Sequence, residues 1–303
     1  MSSAIERLIE AEGLPADYRE IADKYWRPLS EDIAERYAES PGGKPLIVGI
    51  NGAQGSGKST LCKFLEVLLV EHNQVGVRLS LDDLYLTRAE RHKAAADRHP
   101  LFATRGVPGT HDVELGMAIL DRLVAGKDAD LPIFDKAADD RAPERRPVKG
   151  PIQVVLFEGW CVGAAPQPAA DLREPVNELE RTEDADGTWR LEVNRRLATD
   201  YAELFARIDL LIMLKVPDFA AVRAHRRLQE HKLGAGPAVM DDAALERFLA
   251  HYQRLTEWMF AEMPGRADIL VEIDRDQRPT RGFHQALIRV DFVRTSGGFS
   301  WPR

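Results

Sequence analysis

The pattern G-x-x-x-x-G-K-[ST], filled here by Gly52-Ala53-Gln54-Gly55-Ser56-Gly57-Lys58-Ser59, constrains this chain more than any other stretch. It follows the apolar run Leu46-Ile47-Val48 and leads through Thr60 into Leu61-Cys62-Lys63-Phe64-Leu65, whose apolar residues have helical spacing. Strand, glycine loop and helix therefore occur in the order a phosphate cradle requires. The glycines let the loop backbone curl until its N–H groups converge on phosphate oxygens, and the helix N-terminus adds partial positive charge. Residues 52–60 would then hold a nucleotide, with Lys58 bridging its outer phosphates and the Ser59 hydroxyl on magnesium. A chance match in a glycine-rich turn would lack the flanking strand and helix. Both are present, and the pattern predicts binding of a nucleoside triphosphate.

A chain of 303 residues, 44% hydrophobic and 30% charged, can bury a full core. Its net charge of -8 and pI near 5.6 argue against nonspecific affinity for nucleic acid, which needs a basic face, but leave room for a local basic cluster that holds a small anion. Cys62 and Cys161 are far apart and form no metal-ligand spacing, so neither a disulfide framework nor a zinc site is expected. Glu6, Glu10 and Glu12 do not fit the plan of a signal peptide, and no apolar run approaches the ~20 residues of a membrane span. A soluble, unprocessed cytoplasmic protein is expected.

Residues 1–44 read as a helical extension packed on the core, with Ile5, Leu8, Ile9, Ile21, Tyr25, Trp26, Ile33 and Tyr37 at helical spacing. Pro28 is expected to break it, and Ser40-Pro41-Gly42-Gly43 to end it as a linker. From residue 45 to 303 strands and helices alternate. Strands are expected at 46–50, 76–81, 151–157, 208–216 and 269–273. Helices are expected at 61–71, 84–96, 113–124, 191–206, 219–232 and 242–259. Residues 131–134 form a short apolar piece, residues 139–147 a charged surface loop and residues 97–111 an irregular stretch. The glycine-containing Gly234-Ala235-Gly236-Pro237 reads as flexible, and the tail after 280 has no assignment. This alternation predicts an α/β fold, a parallel sheet of the P-loop NTPase type with helices on both faces and ligands at the carboxyl ends of the strands.

Three strand ends then point at one crevice: the glycine loop, Asp82-Asp83, and Glu158. Phosphoryl transfer needs aligned phosphates, magnesium, and a group that orients and deprotonates the attacking hydroxyl. Glu158, ending the apolar run Val154-Val155-Leu156-Phe157, sits where a magnesium-directed carboxylate belongs. Asp82 is a general base on this reading, and equally a turn residue that ends a strand. In Val222-Arg223-Ala224-His225-Arg226-Arg227, Arg223 and Arg227 share a helix face and could close on a transferring phosphate. Arg105, His111, Asp112, Asp135 and Lys136 lie in irregular stretches, where substrate contacts concentrate.

These residues resemble a known family. Ser80-Leu81-Asp82-Asp83-Leu84-Tyr85 after a glycine-loop unit is similar to the S-x-D-x-F-Y element of the phosphoribulokinase, uridine kinase and pantothenate kinase group. Within that group the chain resembles the plant-type D-glycerate 3-kinases and their microbial relatives. The likeness runs through residues 53–60 and 81–85, Arg105-Gly106, Gly109-Thr110-His111-Asp112, Phe134-Asp135-Lys136, Leu156-Phe157-Glu158-Gly159-Trp160 and Arg227-Leu228-Gln229. The resemblance implies that Asp82 is the base, that Ser59 and Glu158 serve magnesium, that His111, Asp112 and Asp135 line the acceptor pocket, and that Arg223 or Arg227 belongs to a lid. Leu84 replaces the usual Phe, and Phe134 stands where relatives often carry Tyr.

The resulting expectation is an ATP- and Mg2+-dependent kinase for a small hydroxy acid, D-glycerate at its 3-hydroxyl, with Arg105, Lys136 or a lid arginine on the carboxylate. No nucleic-acid or membrane partner is expected, and the oligomeric state stays open. The rivals are a kinase of the same group acting on a nucleoside, pantothenate or a sugar phosphate, and a nucleotide-dependent switch without an acceptor.

Overall fold

The computed structural model describes residues 3–232 and 240–284. Gly234-Ala235-Gly236-Pro237 and the tail beyond 284 lie outside the described residues.

Strands β1 (Leu46–Gly52), β2 (Gly76–Ser80), β3 (Ala129–Asp135), β4 (Asp140–Val148), β5 (Val154–Gly159), β6 (Leu210–Lys215), β7 (Ile269–Ile273) and β8 (Pro279–His284) form two sheets. The main sheet has the order β2-β5-β1-β6-β7-β8, parallel except for β8, which pairs antiparallel with β7. Its central strands read as unbroken apolar runs because both faces are covered. Alternation then divides their side chains. Ile47, Leu211 and Met213 pack on one side with Leu120, Leu204 and Met259; Val48, Ile50, Leu210, Ile212 and Leu214 pack on the other with Leu61, Phe64 and Leu65.

The second cluster also takes in Ile5, Ile9, Ile21, Trp26, Leu29 and Ile33 from the N-terminal helices. Here Pro28 does not break the segment. Residues 18–38 run as one helical stretch in which Ala22–Trp26 is π-helical, with the Arg27 N–H bonded five residues back to the Ala22 carbonyl. The wider turn places Pro28 in the first turn of the helix Arg27–Ala38, where a missing N–H costs little.

Three further expectations are corrected. Residues 139–147 do not form a loop: Asp140–Val148 is β4, paired antiparallel with β3 in a separate ribbon. Both strands of such a ribbon are edges, so charged residues and prolines fit there without a hydrophobic period. The helix expected at 84–96 starts later, as Arg88–Asp97, because Thr87 and Glu90 form a capping box and Leu81–Leu84 is a 3₁₀ turn. The helix expected at 191–206 is two, Thr188–Ala198 and Asp200–Phe205, divided at Thr199, whose φ of -117° and ψ of -106° are not helical. Among the described residues no helix is long and apolar enough to cross a membrane.

Candidate active site

β1 delivers the glycine loop, and the helix Lys58–Glu71 leaves it with Gly57 as its N-cap at φ +91°. Gly55 is held at φ +76° against His225, where an added Cβ would come within 2.5 Å of the His225 Cβ. Only glycine fits that combination of positive φ and close approach. Gln277 Nε2 donates to the Gly55 carbonyl at 2.7 Å and fixes the loop from the turn before β8.

The loop opens on a cleft of about 440 Å³ whose lining includes Gln54, Lys58, Ser59, Arg78, Asp82 and Glu158 together with Tyr85, Arg105, Lys136, Arg226, Phe248 and Tyr252. Lys58 Nζ donates to the Ala53 carbonyl at 3.2 Å, which folds the ammonium over the loop. Burial lowers its pKa, while the Glu158 and Asp82 carboxylates oppose that shift. Parallel pairing sets Glu158 level with Ile50 of β1 and Ser80 of β2. The carboxylate is 4% exposed as a residue, and its Oε1 accepts from the Ser59 hydroxyl at 3.2 Å. One carboxylate and one hydroxyl oxygen suit magnesium, which takes few protein ligands and completes its shell with phosphate and water. Among the described residues no cluster of three metal-binding side chains competes for that role.

Asp82 occupies the 3₁₀ turn after β2. Its Oδ1 accepts from the Tyr85 hydroxyl at 3.0 Å and its Oδ2 from Lys136 Nζ at 2.6 Å. Burial pushes its carboxyl up, but Lys136, with help from Lys58, outweighs this and holds it at about 2. Its neighbour Asp83 accepts the Phe134 N–H at 3.1 Å and docks the ribbon; burial raises its pKa. Both aspartates line the cleft, but Asp83 also holds the ribbon through the Phe134 N–H.

Of the residues expected around the acceptor, Arg105 and Lys136 line the cleft. His111, Asp112 and Asp135 stand behind it. The buried His111 ring stacks on Tyr85 at 4.5 Å, and its Nδ1 lies 2.6 Å from the Tyr201 hydroxyl. Burial, partly opposed by Asp82, lowers its pKa to about 3. Asp112 caps the helix Val113–Val124 through the Leu115 N–H at 3.0 Å and pairs with Arg141 at 3.3 Å. Asp135 Oδ1 accepts the N–H groups of Ala137 and Ala138 and closes the ribbon turn.

Arg223 and Arg227 do share a helix face, but that face meets Glu246, at 3.3 and 3.0 Å. One residue earlier, about 100° round the helix, Arg226 faces the cleft, over the Phe248 ring and paired with buried Glu230. Sequence reasoning included Arg226 in the cluster without singling it out, because helical period gives relative phase and not which face meets a cleft. It missed Arg78, Tyr252 and Phe248, which carry no local motif.

A phosphate cradle and carboxylates meeting at the carboxyl ends of a parallel sheet are what a P-loop kinase requires, and comparison with known proteins places the chain in that class. No protein-family model matches the chain. It is 38% identical over 224 residues to a Schizosaccharomyces pombe protein described as "Uncharacterized kinase mug58", covering 70% of this chain and 80% of that one. It is 30% identical over 260 residues to the chloroplastic D-glycerate 3-kinase of Arabidopsis thaliana, covering 78% of this chain and 54% of the plant protein. The solved D-glycerate 3-kinase from Cryptococcus neoformans superposes with a TM-score of 0.72 at 26% identity, over 85% of this chain and 97% of that one. The chain belongs to the glycerate kinase group of P-loop kinases.

Proposed function

We propose that this protein transfers the γ-phosphoryl group of ATP to the 3-hydroxyl of D-glycerate. The observation that carries the reading is the convergence of Lys58, Ser59, Asp82 and Glu158 on one cleft whose lining also carries the cations Arg105, Lys136 and Arg226. Two similar proteins named as D-glycerate 3-kinases support the choice of acceptor.

In this reading residues 52–60 hold the triphosphate, with loop N–H groups and Lys58 on its phosphates. Ser59 and Glu158 would hold magnesium, which when bound neutralises charge on the phosphate oxygens. Asp82 orients the acceptor hydroxyl and takes its proton while the hydroxyl oxygen bonds to the γ-phosphorus. The bond from that phosphorus to the β–γ bridging oxygen breaks, and ADP leaves with the electron pair. Arg226 faces the transferring phosphoryl group, in place of Arg223 and Arg227, and stabilises charge spread over its oxygens. Phe248, Trp160 and Tyr252 help exclude water from the cleft. His111, Asp112 and Asp135 support the acceptor site from behind, the first through Tyr85 and the last through the turn carrying Lys136. A cytoplasmic setting accords with two free, buried cysteines.

ADP release from MgATP tests the reading, measured alone and with D-glycerate, L-glycerate, pantothenate, uridine or ribulose 5-phosphate. Stimulation by D-glycerate, with 3-phosphoglycerate as product, is the expected result. Stimulation by another acceptor replaces the substrate, and ATP binding without stimulation by any of them refutes the assignment to glycerate.

A further inference from the structure

Both carboxylate oxygens of Asp82 are taken, and the two partners differ in kind. Tyr85, which occupies Oδ1, is buried between the His111 ring stacked on it and the Phe134 ring edge-on at 5.1 Å. Its hydroxyl is fixed in place. Lys136, on Oδ2, has 62% of its side chain exposed, on a long flexible stem.

The root of that stem is anchored. Arg105 pairs with Asp139, and its Nη2 donates to the Lys136 carbonyl at 3.5 Å. Fully buried Arg91 donates to the Asp139 carbonyl at 2.9 Å and to its Oδ2 at 2.6 Å. Together with the Asp135 turn, these bonds fix the backbone that presents Lys136 and leave only the side chain to swing. Arg105 is committed to Asp139 and Arg226 to Glu230, so Lys136 is the cleft cation whose partner is the proposed base itself.

Each carboxylate oxygen can accept more than one hydrogen bond, but a hydroxyl gains the freest approach to Asp82 where a donor moves aside, and of the two donors only the exposed one can leave. The pair is partly exposed, so the ammonium can leave it at little cost, and an acceptor's anion within its reach gives it a new partner. We infer that Lys136 is both the cation that recognises the acceptor's carboxylate and a latch on the base: without acceptor it covers Asp82 Oδ2, and a short hydroxy acid draws it off so that the acid's own hydroxyl takes its place. The inference rests on the kinase reading above and defines its substrate class. Departure of Lys136 also removes the largest influence opposing burial at Asp82, so the carboxylate becomes a better proton acceptor as the hydroxyl arrives.

The test compares D-glycerate with glycerol, which keeps the carbon chain and hydroxyls and lacks the carboxylate. In Lys136→Met, kcat/KM for D-glycerate is expected to fall about 10- to 100-fold, the worth of one hydrogen bond to a charged group. For glycerol it holds or rises, since nothing covers Oδ2, and the preference for the acid collapses by at least about tenfold. Lys136→Arg, which keeps the charge, recovers part of that preference. Equal losses on both acceptors, or an unaltered preference, overturn the inference. Lys136 is exposed, and an unchanged thermal unfolding midpoint shows that the variant is folded. The wild-type protein separates the two questions: no turnover of D-glycerate refutes the proposed function, whereas wild-type turnover with an unaltered preference in Lys136→Met refutes the latch alone.

Discussion

Ser59 Oγ lies 3.2 Å from Glu158 Oε1, although ninety-nine residues separate them in the chain. Parallel pairing of β1 with β5 achieves this by bringing both strand ends to the same level, Ile50 beside Glu158. Asn51 Nδ2 then ties the two together, donating to the carbonyls of Trp160 and Val162 at 3.1 and 2.9 Å.

Glu158→Gln keeps an oxygen for the Ser59 hydroxyl and removes the charge. The magnesium concentration giving half-maximal activity at saturating ATP is expected to rise about 10- to 100-fold, as for loss of a metal-orienting group. A magnesium titration measures this, and an unchanged midpoint would exclude Glu158 from the metal.

Asp82→Asn retains an acceptor for Tyr85 and loses the proton acceptor. Phosphoryl transfer is expected to fall about 10²- to 10⁴-fold, the range for a positioned general base, with ATP affinity near that of the wild type. Single-turnover kinetics with a separate nucleotide-binding titration distinguish the two effects. Equal loss of both would assign Asp82 a structural or metal role.

Arg226→Ala is expected to lower kcat/KM at least about tenfold, because its guanidinium faces the cleft. Arg223→Ala removes a half-exposed pair with Glu246, a contact of the kind worth about 0–1 kcal/mol, and should change kcat/KM by less than about threefold. Steady-state kinetics of the two variants side by side decide which residue acts on phosphate.

His111 supplies a pH dependence of stability. Its folded pKa is depressed to about 3 from an ordinary 6.5, so between those values the unfolded chain binds the extra proton. Its contribution is fully present above pH 6.5 and is lost as pH falls toward 3, at up to about 1.4 kcal/mol per pH unit. Denaturant unfolding from pH 7 to pH 4.5 should show a shallower loss of stability in His111→Phe than in the wild type. Parallel losses would mean that His111 does not titrate differently on unfolding.

How much of this was legible in the chain depended on the distance over which each residue is specified. Lys58 and Ser59 follow from a local order of strand, loop and helix, and Glu158 from an apolar strand that stops at a charge. Asp82 stood level with a turn residue until a resemblance favoured it, and the cleft now holds its side chain. Sequence could not separate Arg226 from Arg223, since which face of a helix meets a cleft is decided by the helix packed against it. His111 and Asp112 lie in a glycine- and proline-bearing stretch that reads the same whether they touch substrate or brace Tyr85. The β4 strand escaped because a charged ribbon edge, with prolines at 143 and 147, has no period of two in its hydrophobicity.

The β3–β4 ribbon shares no strand pairing with the main sheet, but its base is anchored: Ala129, Leu131 and Val148 pack into the core, and the Phe134 N–H donates to Asp83. The exposed tip at residues 136–138 lies outside that core and can be reshaped without altering the strands that carry the nucleotide loop. Under the role proposed for Lys136, replacing this tip is a route to redesigning which acceptor is chosen, with the machinery for handling ATP left as inherited.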